Sequence, residues 1–441
     1  MKGAPLVLFL IITLASVVIL VQSNLAFASL PQVVINSDGT VTPSDMPLNH
    51  VGNTYYFTAD ISNHSIKINC DNITIDGQGF TLQGRPDYGS DYGLYLLNRN
   101  NVTIRNLNIK SYAFGVEMIA NYLTSLPNKG IDITNNTITN CMTGVMFDGA
   151  INCSISRNRF LNNGQGINMI NSSFFNAISE NIIANNGGGI NVVTSSNNTF
   201  MLNTISENEN GIRVDTSKGN IFARNNFTGN NVGILFESLI GTSSDNLFYS
   251  NNFINNSRHI REEFKHDIPL PQSNIWDNDT RGNYWDDYSA RYPNAVEIDN
   301  SGIGDTPYVI NADNIDHYPL MAPVDYVSPS ILILSPENRT YDKSSIQLNF
   351  TANEPLSRIT YSLDGEPQVT VTGNMTLTGL NNGKHSLTIY ATDEAGNIGA
   401  SDAVYFSVDV AFPTFAVAAV SGASATAIAA GVLVYLRRRK R

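Results

Sequence analysis

The chain has 441 residues, with 38 acidic against 26 basic side chains and a formal charge of −12. Lys2 and the 437–441 tail hold six of the basic residues, so residues 29–436 carry 20 basic against 38 acidic groups, a formal −18 that excludes nucleic acid and polyanions as partners. Three cysteines (Cys70, Cys141, Cys153) are too few and too scattered for a disulfide framework, and 42% hydrophobic residues exclude general disorder.

At the N-terminus, Lys2 precedes an apolar run from Leu6 to Val21, and Ala26-Phe27-Ala28 follows as a small-x-small site. Residues 1–28 are expected to be a secretory signal cleaved after Ala28. Asn-x-Ser/Thr triplets at Asn63, Asn72, Asn101, Asn152, Asn226, Asn278 and Asn338 are then candidate glycan acceptors.

Residues 29–275 are expected to form a right-handed parallel β-helix. A glycine followed by Val or Ile recurs at Gly115, Gly144, Gly166, Gly189, Gly211 and Gly233, at steps of 29, 22, 23, 22 and 22. Asn136, Asn158, Asn181, Asn203 and Asn225 keep the same period, and Asn176, Asn198 and Asn220 form a second such column. A repeat near 22 residues with period-two apolar alternation is the mark of a stacked coil. One residue after each glycine come Val116, Val145, Ile167, Ile190, Ile212 and Ile234, and three after come Met118, Phe147, Met169, Val192, Val214 and Phe236. Both columns are expected to point inward. A further apolar column runs through Ile178, Phe200, Phe222 and Phe248, and another strand starts near Ile205 and Phe227. Seven or eight coils are expected, about 4.8 Å apart. The Asn columns are expected to form amide ladders and to occupy left-handed turn positions. The long step after Gly115 holds a projecting loop around residues 121–129.

From Trp276 to residue 325 the texture changes, and an aromatic-rich cap over the open end of the stack is expected. Three elements occur in order: Gly-Asn-Tyr-Trp-Asp-Asp-Tyr (282–288), Gly-Ile-Gly-Asp-Thr-Pro-Tyr (302–308) and Asp-His-Tyr-Pro-Leu (316–320). Together with the 22-residue coils, they make the chain resemble NosD-like β-helix proteins of the archaeal cell-surface type over roughly residues 35–325. The founding members of that family are described as periplasmic copper-binding proteins or maturation proteins for a copper reductase, so the resemblance implies copper handling. A copper(I) site needs clustered Met, Cys or His. Here Met118 and Met169 fall on an inward column and the six histidines are dispersed, so the residues argue against copper as a cofactor. The same region carries a calcium-loop pattern: Glu297, Asp299, Ser301, Ile303 (through its carbonyl) and Asp305 fall at positions 1, 3, 5, 7 and 9, with Gly302 at the turn and Tyr308 where a bidentate Glu belongs.

Residues 328–410 show short alternating segments with turns at Asp364-Gly365, Asn382-Gly383 and Gly396-Asn397, the pattern of a small β-sandwich. They resemble Ig-like spacer modules of surface proteins, which implies a stalk. Residues 413–436 contain a 22-residue uncharged run from Phe415 to Leu436, about 33 Å as a helix, which is enough to span a bilayer. The Arg437-Arg438-Arg439-Lys440-Arg441 tail belongs on the cytoplasmic side. The expected product is a single-pass cell-surface protein with its bulk outside.

Candidate contact residues lie on the outward columns. Two after each glycine come Glu117, Met146, Asn168, Asn191, Arg213 and Leu235. Four after come Ile119, Asp148, Ile170, Val193, Asp215 and Glu237. Asp215 and Glu237 are one coil apart with Arg213 beside them, which singles out Arg213, Asp215 and Glu237 as a ligand-binding patch and the candidate catalytic set. Carboxylates so close favour a cation, a shared proton or Arg213 between them. A binding or structural role, directed at envelope or extracellular glycans, is expected ahead of catalysis. The alternatives are a polysaccharide-active enzyme and copper handling.

Overall fold

The computed structural model describes residues 29–85, 91–120, 126–238, 241–264 and 273–411. The signal segment 1–28 and the span and tail expected over 413–441 lie outside the described residues. Among the described residues no helix is long and apolar enough to cross a membrane. They fall into two compact units, the first ending at Val324 and the second starting at Asp325.

The first unit is a parallel β-helix of about nine turns. Three sheets of 11, 10 and 10 strands form its walls. A single coil contributes Ala177–Ser179, Ile182–Ala184 and Gly188–Val193, one strand to each wall. The stack extends further toward the N-terminus than the glycine period from Gly115 suggests, because strand Tyr92–Leu97 carries Gly93 one coil earlier. Antiparallel pairing of Gln32–Ile35 with Val41–Thr42, and of Leu48–Val51 with Thr54–Phe57, turns the first edges away from open parallel pairing.

The inward columns stack as expected. Val145, Ile167, Ile190, Ile212 and Ile234 pair in register from coil to coil, and all are fully buried. Phe200, Phe222 and Phe248 stack face to face at 4.7 and 4.6 Å. The glycine column answers a close approach. A Cβ on Gly144 would lie 2.5 Å from the Gly166 carbonyl oxygen and 2.8 Å from the Phe160 ring.

Both expected Asn columns are hydrogen-bonded ladders. Asn203 Oδ1 accepts from the Asn181 backbone N–H at 3.1 Å and from its Nδ2 at 3.0 Å, while Asn203 Nδ2 donates to Ile178 O and Asn225 Oδ1. A third ladder runs through Asn163, Asn186, Asn208, Asn230 and Asn256. Cys141 and Cys153 stand at ladder positions, their backbone N–H groups donating to Asn163 and Asn176. The expectation that the Asn columns take left-handed backbone is corrected. The left-handed residue is the one before each ladder Asn: Asn135, Arg157, Glu180, Leu202, Arg224 and Ser250, at φ between 56 and 60°. The chain turns there so that the next amide N–H points along the axis.

Residues 274–321 close the end, and the three family elements are where ladders and stacks stop. Asn251 passes its ladder to Asn283, and Asn283 passes it to Asp316. Asn246 passes the second ladder to Asn274 and Asn314. Trp276 stacks on Phe248 at 4.5 Å, Trp285 on Phe253 at 4.4 Å, and Tyr308 on Trp285 at 4.4 Å. Asp316 is fully buried, and its Oδ2 accepts from Trp285 Nε1 at 2.9 Å. Burial pushes its carboxyl up to about 7 against the donors that pull it down.

The second unit packs a three-strand antiparallel sheet and a sheet led by Gly383–Asp393 around Leu348, Leu387, Ile389 and Phe406.

Candidate functional site

The eleven-strand sheet presents one continuous outer column. In register it reads Lys67, Tyr95, Glu117, Met146, Asn168, Asn191, Arg213, Leu235 and Arg261. Seven coil steps separate Tyr95 from Arg261, a track of about 34 Å at the usual strand spacing.

The Arg213 end of this track is closed. Asp215 and Glu237 pair in register, as the period requires, but Asp215 is 0% exposed and Glu237 7%. Arg213 Nη2 lies 2.9 Å from Asp215 Oδ2 and 2.6 Å from Glu237 Oε2. Of the three ways to reconcile two close carboxylates, the molecule uses the guanidinium. Gly241 packs on Thr216 beside them. Side-chain alternation identifies the outward face but not what lies over it, so the expected open patch is instead an ion-pair cluster with both carboxylates buried and Arg213 half-buried.

At the opposite end of the track Tyr92, Tyr95 and Glu117 are half-buried. Tyr92 and Tyr95 stack at 4.7 Å with both rings part-exposed, and Gln32 Nε2 donates to the Tyr92 hydroxyl at 2.8 Å. Tyr95 pairs in register with Glu117 on the next coil. Asp148, one coil further and two residues along, pairs with Ile119 and accepts from Asn171 Nδ2 at 2.9 Å. Burial, and then the charge of Asp148, push the Glu117 carboxyl up to about 7. Burial raises both tyrosines, and the Glu117 carboxylate reinforces that rise. Two aromatic faces, a carboxyl that titrates near neutrality and an ionisable neighbour therefore meet on adjoining coils. Glu117 and Asp148 stand on the outward columns of the sequence. Tyr92 and Tyr95 were missed, although Gly93 lies 22 residues before Gly115 and brings them into line.

In the segment with the calcium-loop pattern Glu297 pairs with Gly304 across a hairpin, and four of the prospective ligand groups accept hydrogen bonds inside it. Glu297 Oε1 accepts from Gly302 N, Asp305 Oδ1 from Val296 N, Ser301 Oγ from Ile303 N, and the Ile303 carbonyl from Ile298 N. Spacing alone does not tell which way a carbonyl points. Among the described residues two groups of three ligand side chains converge, His259–Asp286–Asp287 and Asp325–Glu354–Asp393, and neither includes Glu297, Asp299 or Asp305.

A family model described as "Periplasmic copper-binding protein (NosD)" matches residues 58–290, more than half of the chain. The chain belongs to the NosD family. Halomucin of Haloquadratum walsbyi is 36% identical over 107 residues, which is 22% of this chain and 1% of halomucin, so the chain spans about a hundredth of that relative. Tailspike protein 2 of bacteriophage CBA120 is similar at a TM-score of 0.40 with 12% identity, covering 81% of this chain and 62% of the tailspike. Alginate lyase from Paenibacillus sp. str. FPU-7 is similar at 0.27 with 13% identity, covering 50% and 91%.

The NosD description implies copper, and soft donors do not fit it here. Met118 and Met169 are fully buried in one inward column with Phe147 between them. Burial pushes the Cys141 and Cys153 thiols up to about 12 and about 11, away from the thiolate a metal needs. His259, Asp286 and Asp287 bring one ring nitrogen and two carboxylate oxygens within 4.8 Å of one another, with His259 Nε2 2.9 Å from Asp286 Oδ1.

Proposed function

We propose that this NosD-family chain is an extracytoplasmic surface protein whose outer track, from Tyr92 to Asn191, binds neutral glycans. The observation that carries the reading is the stacked, part-exposed Tyr92–Tyr95 pair, with Glu117 in register beside it. Tyrosine faces offer an apolar platform with a polar edge, and the acid, Asn168 and Asn191 supply hydrogen-bonding groups for hydroxyls along the same column. The −18 charge of residues 29–436 disfavours anionic polymers. The family description supports a location outside the cytoplasm, as does the expected signal at 1–28. In this reading the second unit is an Ig-like stalk and residues 413–436 are the membrane anchor.

Glu117 favours a second reading. A carboxyl near 7 beside an ionisable partner is the arrangement a polysaccharide-active enzyme uses for general acid chemistry.

The full-length protein in detergent micelles, screened against a panel of neutral and anionic oligosaccharides, tests both. The binding reading expects retention of neutral oligosaccharides without new reducing ends. Cleavage abolished by Glu117→Gln would favour the enzyme. No retention of any glycan would refute the binding reading.

A further inference from the structure

The second unit holds a buried histidine between two oxygens. His385 is 8% exposed on the inner face of strand Gly383–Asp393. It pairs in register with Phe406 of strand Val404–Val408, and the two rings stack at 5.3 Å. His385 Nδ1 lies 2.7 Å from Asp364 Oδ2, and its Nε2 lies 2.8 Å from the Asn381 carbonyl oxygen. We propose that His385 is a pH-sensitive clasp: with both ring nitrogens protonated it closes the second unit, and on losing one proton it releases the 379–382 loop.

Both partners of the ring are oxygens that accept and do not donate. A neutral imidazole carries one N–H and one lone pair, so it would set that lone pair against an oxygen in a buried place. An imidazolium donates to both. The Phe406 face adds to the preference for the charged ring. Burial pulls the ring down, but the Asn381 carbonyl and then the Asp364 carboxylate outweigh burial and hold it above its ordinary value. Asp364 is the ionisable group whose charge acts on the ring. On the elements around it, Glu366, Lys384, Tyr405 and Asp409 are exposed, and Tyr341 and Tyr361 pack on the apolar cluster. The 379–382 loop carries no ionisable side chain.

Three segments meet at this ring, and they differ in how much they depend on it. The turn at Asp364-Gly365 has its own fastening, because Asp364 Oδ1 also accepts from Ser386 N at 2.8 Å. The Asn381 carbonyl depends on the ring. The next residue, Asn382, holds the end of the last strand: its Nδ2 donates to Val410 O at 3.0 Å and its Oδ1 accepts from Val410 N at 2.8 Å. When one proton leaves His385, the other stays toward the carboxylate, the stronger acceptor, and the Asn381 carbonyl loses its donor. The loop then opens more readily, and the Asn382–Val410 pair opens with it. The sign follows from a folded ring that binds its proton more tightly than the unfolded one. The stabilisation is complete below about pH 6.5, the ordinary imidazole value, and is lost as pH rises through the raised one.

Hydrogen exchange of the full-length protein in detergent micelles, followed by mass spectrometry from about pH 5 to about pH 9 and corrected for intrinsic exchange, tests this. Protection of peptides covering 379–385 and 404–410 should hold steady below about pH 6.5. Above it, protection should fall by about tenfold for each pH unit until the folded ring has titrated. His385→Gln does not titrate, so its protection should be the same across the range. Asp364→Asn removes the charged partner and should move the fall to lower pH. If His385→Gln does not fold, the shift in Asp364→Asn decides. Protection that does not change with pH in the unmutated protein, a fall that survives in His385→Gln, or a fall at the same pH in Asp364→Asn would overturn the proposal.

Discussion

Asn203→Ala tests whether the amide ladders hold the coils together. The side chain is 1% exposed and makes four hydrogen bonds to three neighbours. Not all four are lost in energetic terms. Asn181 Nδ2 keeps Ile155 O and Ser179 O, and Asn225 Oδ1 keeps the backbone N–H of residue 203. One buried donor is left without a partner, the Asn181 N–H, whereas the Ile178 carbonyl stays within the parallel ladder of Ala177–Ser179 with Thr199–Met201. At about 1–3 kcal/mol for a buried unsatisfied group, the expected loss is about 1–3 kcal/mol. That is a measurable share of the ~5–15 kcal/mol typical of a folded domain. Urea unfolding followed by far-ultraviolet circular dichroism measures it, with exposed Glu209→Ala as a control expected to stay within about 0.5 kcal/mol. Hydrogen exchange should also quicken at the Asn181 amide. A loss below about 1 kcal/mol with unchanged exchange would mean that the columns of Ile and Phe alone hold the register.

Three further outcomes follow from particular contacts. Gly144→Ala should destabilise by about 1–3 kcal/mol, read as a lower urea midpoint, because its methyl meets the Gly166 carbonyl. Asp316→Ala should lower the thermal midpoint steeply, since Asn283 N, Trp285 Nε1 and Tyr318 N lose their common acceptor. Glu117 is held near 7 in the fold against about 4.5 unfolded, so its neutral form favours the folded state fully below about 4.5, and that contribution is lost as pH rises through about 7. Glu117→Gln should therefore shrink the fall in melting temperature between pH 5 and pH 8, without abolishing it, because Asp316 shifts in the same direction.

The coil architecture was legible because a 22-residue period forces Ile190, Ile212 and Ile234 onto one inner face whatever the loops do. The third ladder keeps the same steps at Asn163, Asn186 and Asn208, but it is hard to separate from ordinary Asn richness until the turn geometry shows which amides face inward. The site was less legible for three physical reasons. The glycine period read from Gly115 left out Gly93, and with it Tyr95. Alternation placed Asp215 and Glu237 on the outer face but carried no information on cover, so a buried cluster read as an open patch. His259 broke the glycine column, and only the end of the stack explains why a large residue is admitted there. The 297–305 loop has the right residues at the right spacing, yet its hairpin hydrogen bonds engage one oxygen each of Glu297, Ser301, Ile303 and Asp305, and among the described residues its carboxylates do not converge in a group of three.

The central claim is that the Tyr92–Tyr95 end of the outer track holds the ligand. Calorimetric titration of full-length protein with a neutral oligosaccharide retained in the panel, comparing the unmutated chain, Tyr95→Ala and the exposed opposite-wall substitution Arg159→Ala, tests it most directly. The account predicts at least a tenfold loss of affinity for Tyr95→Ala and none for Arg159→Ala. Equal affinity in all three proteins would contradict it.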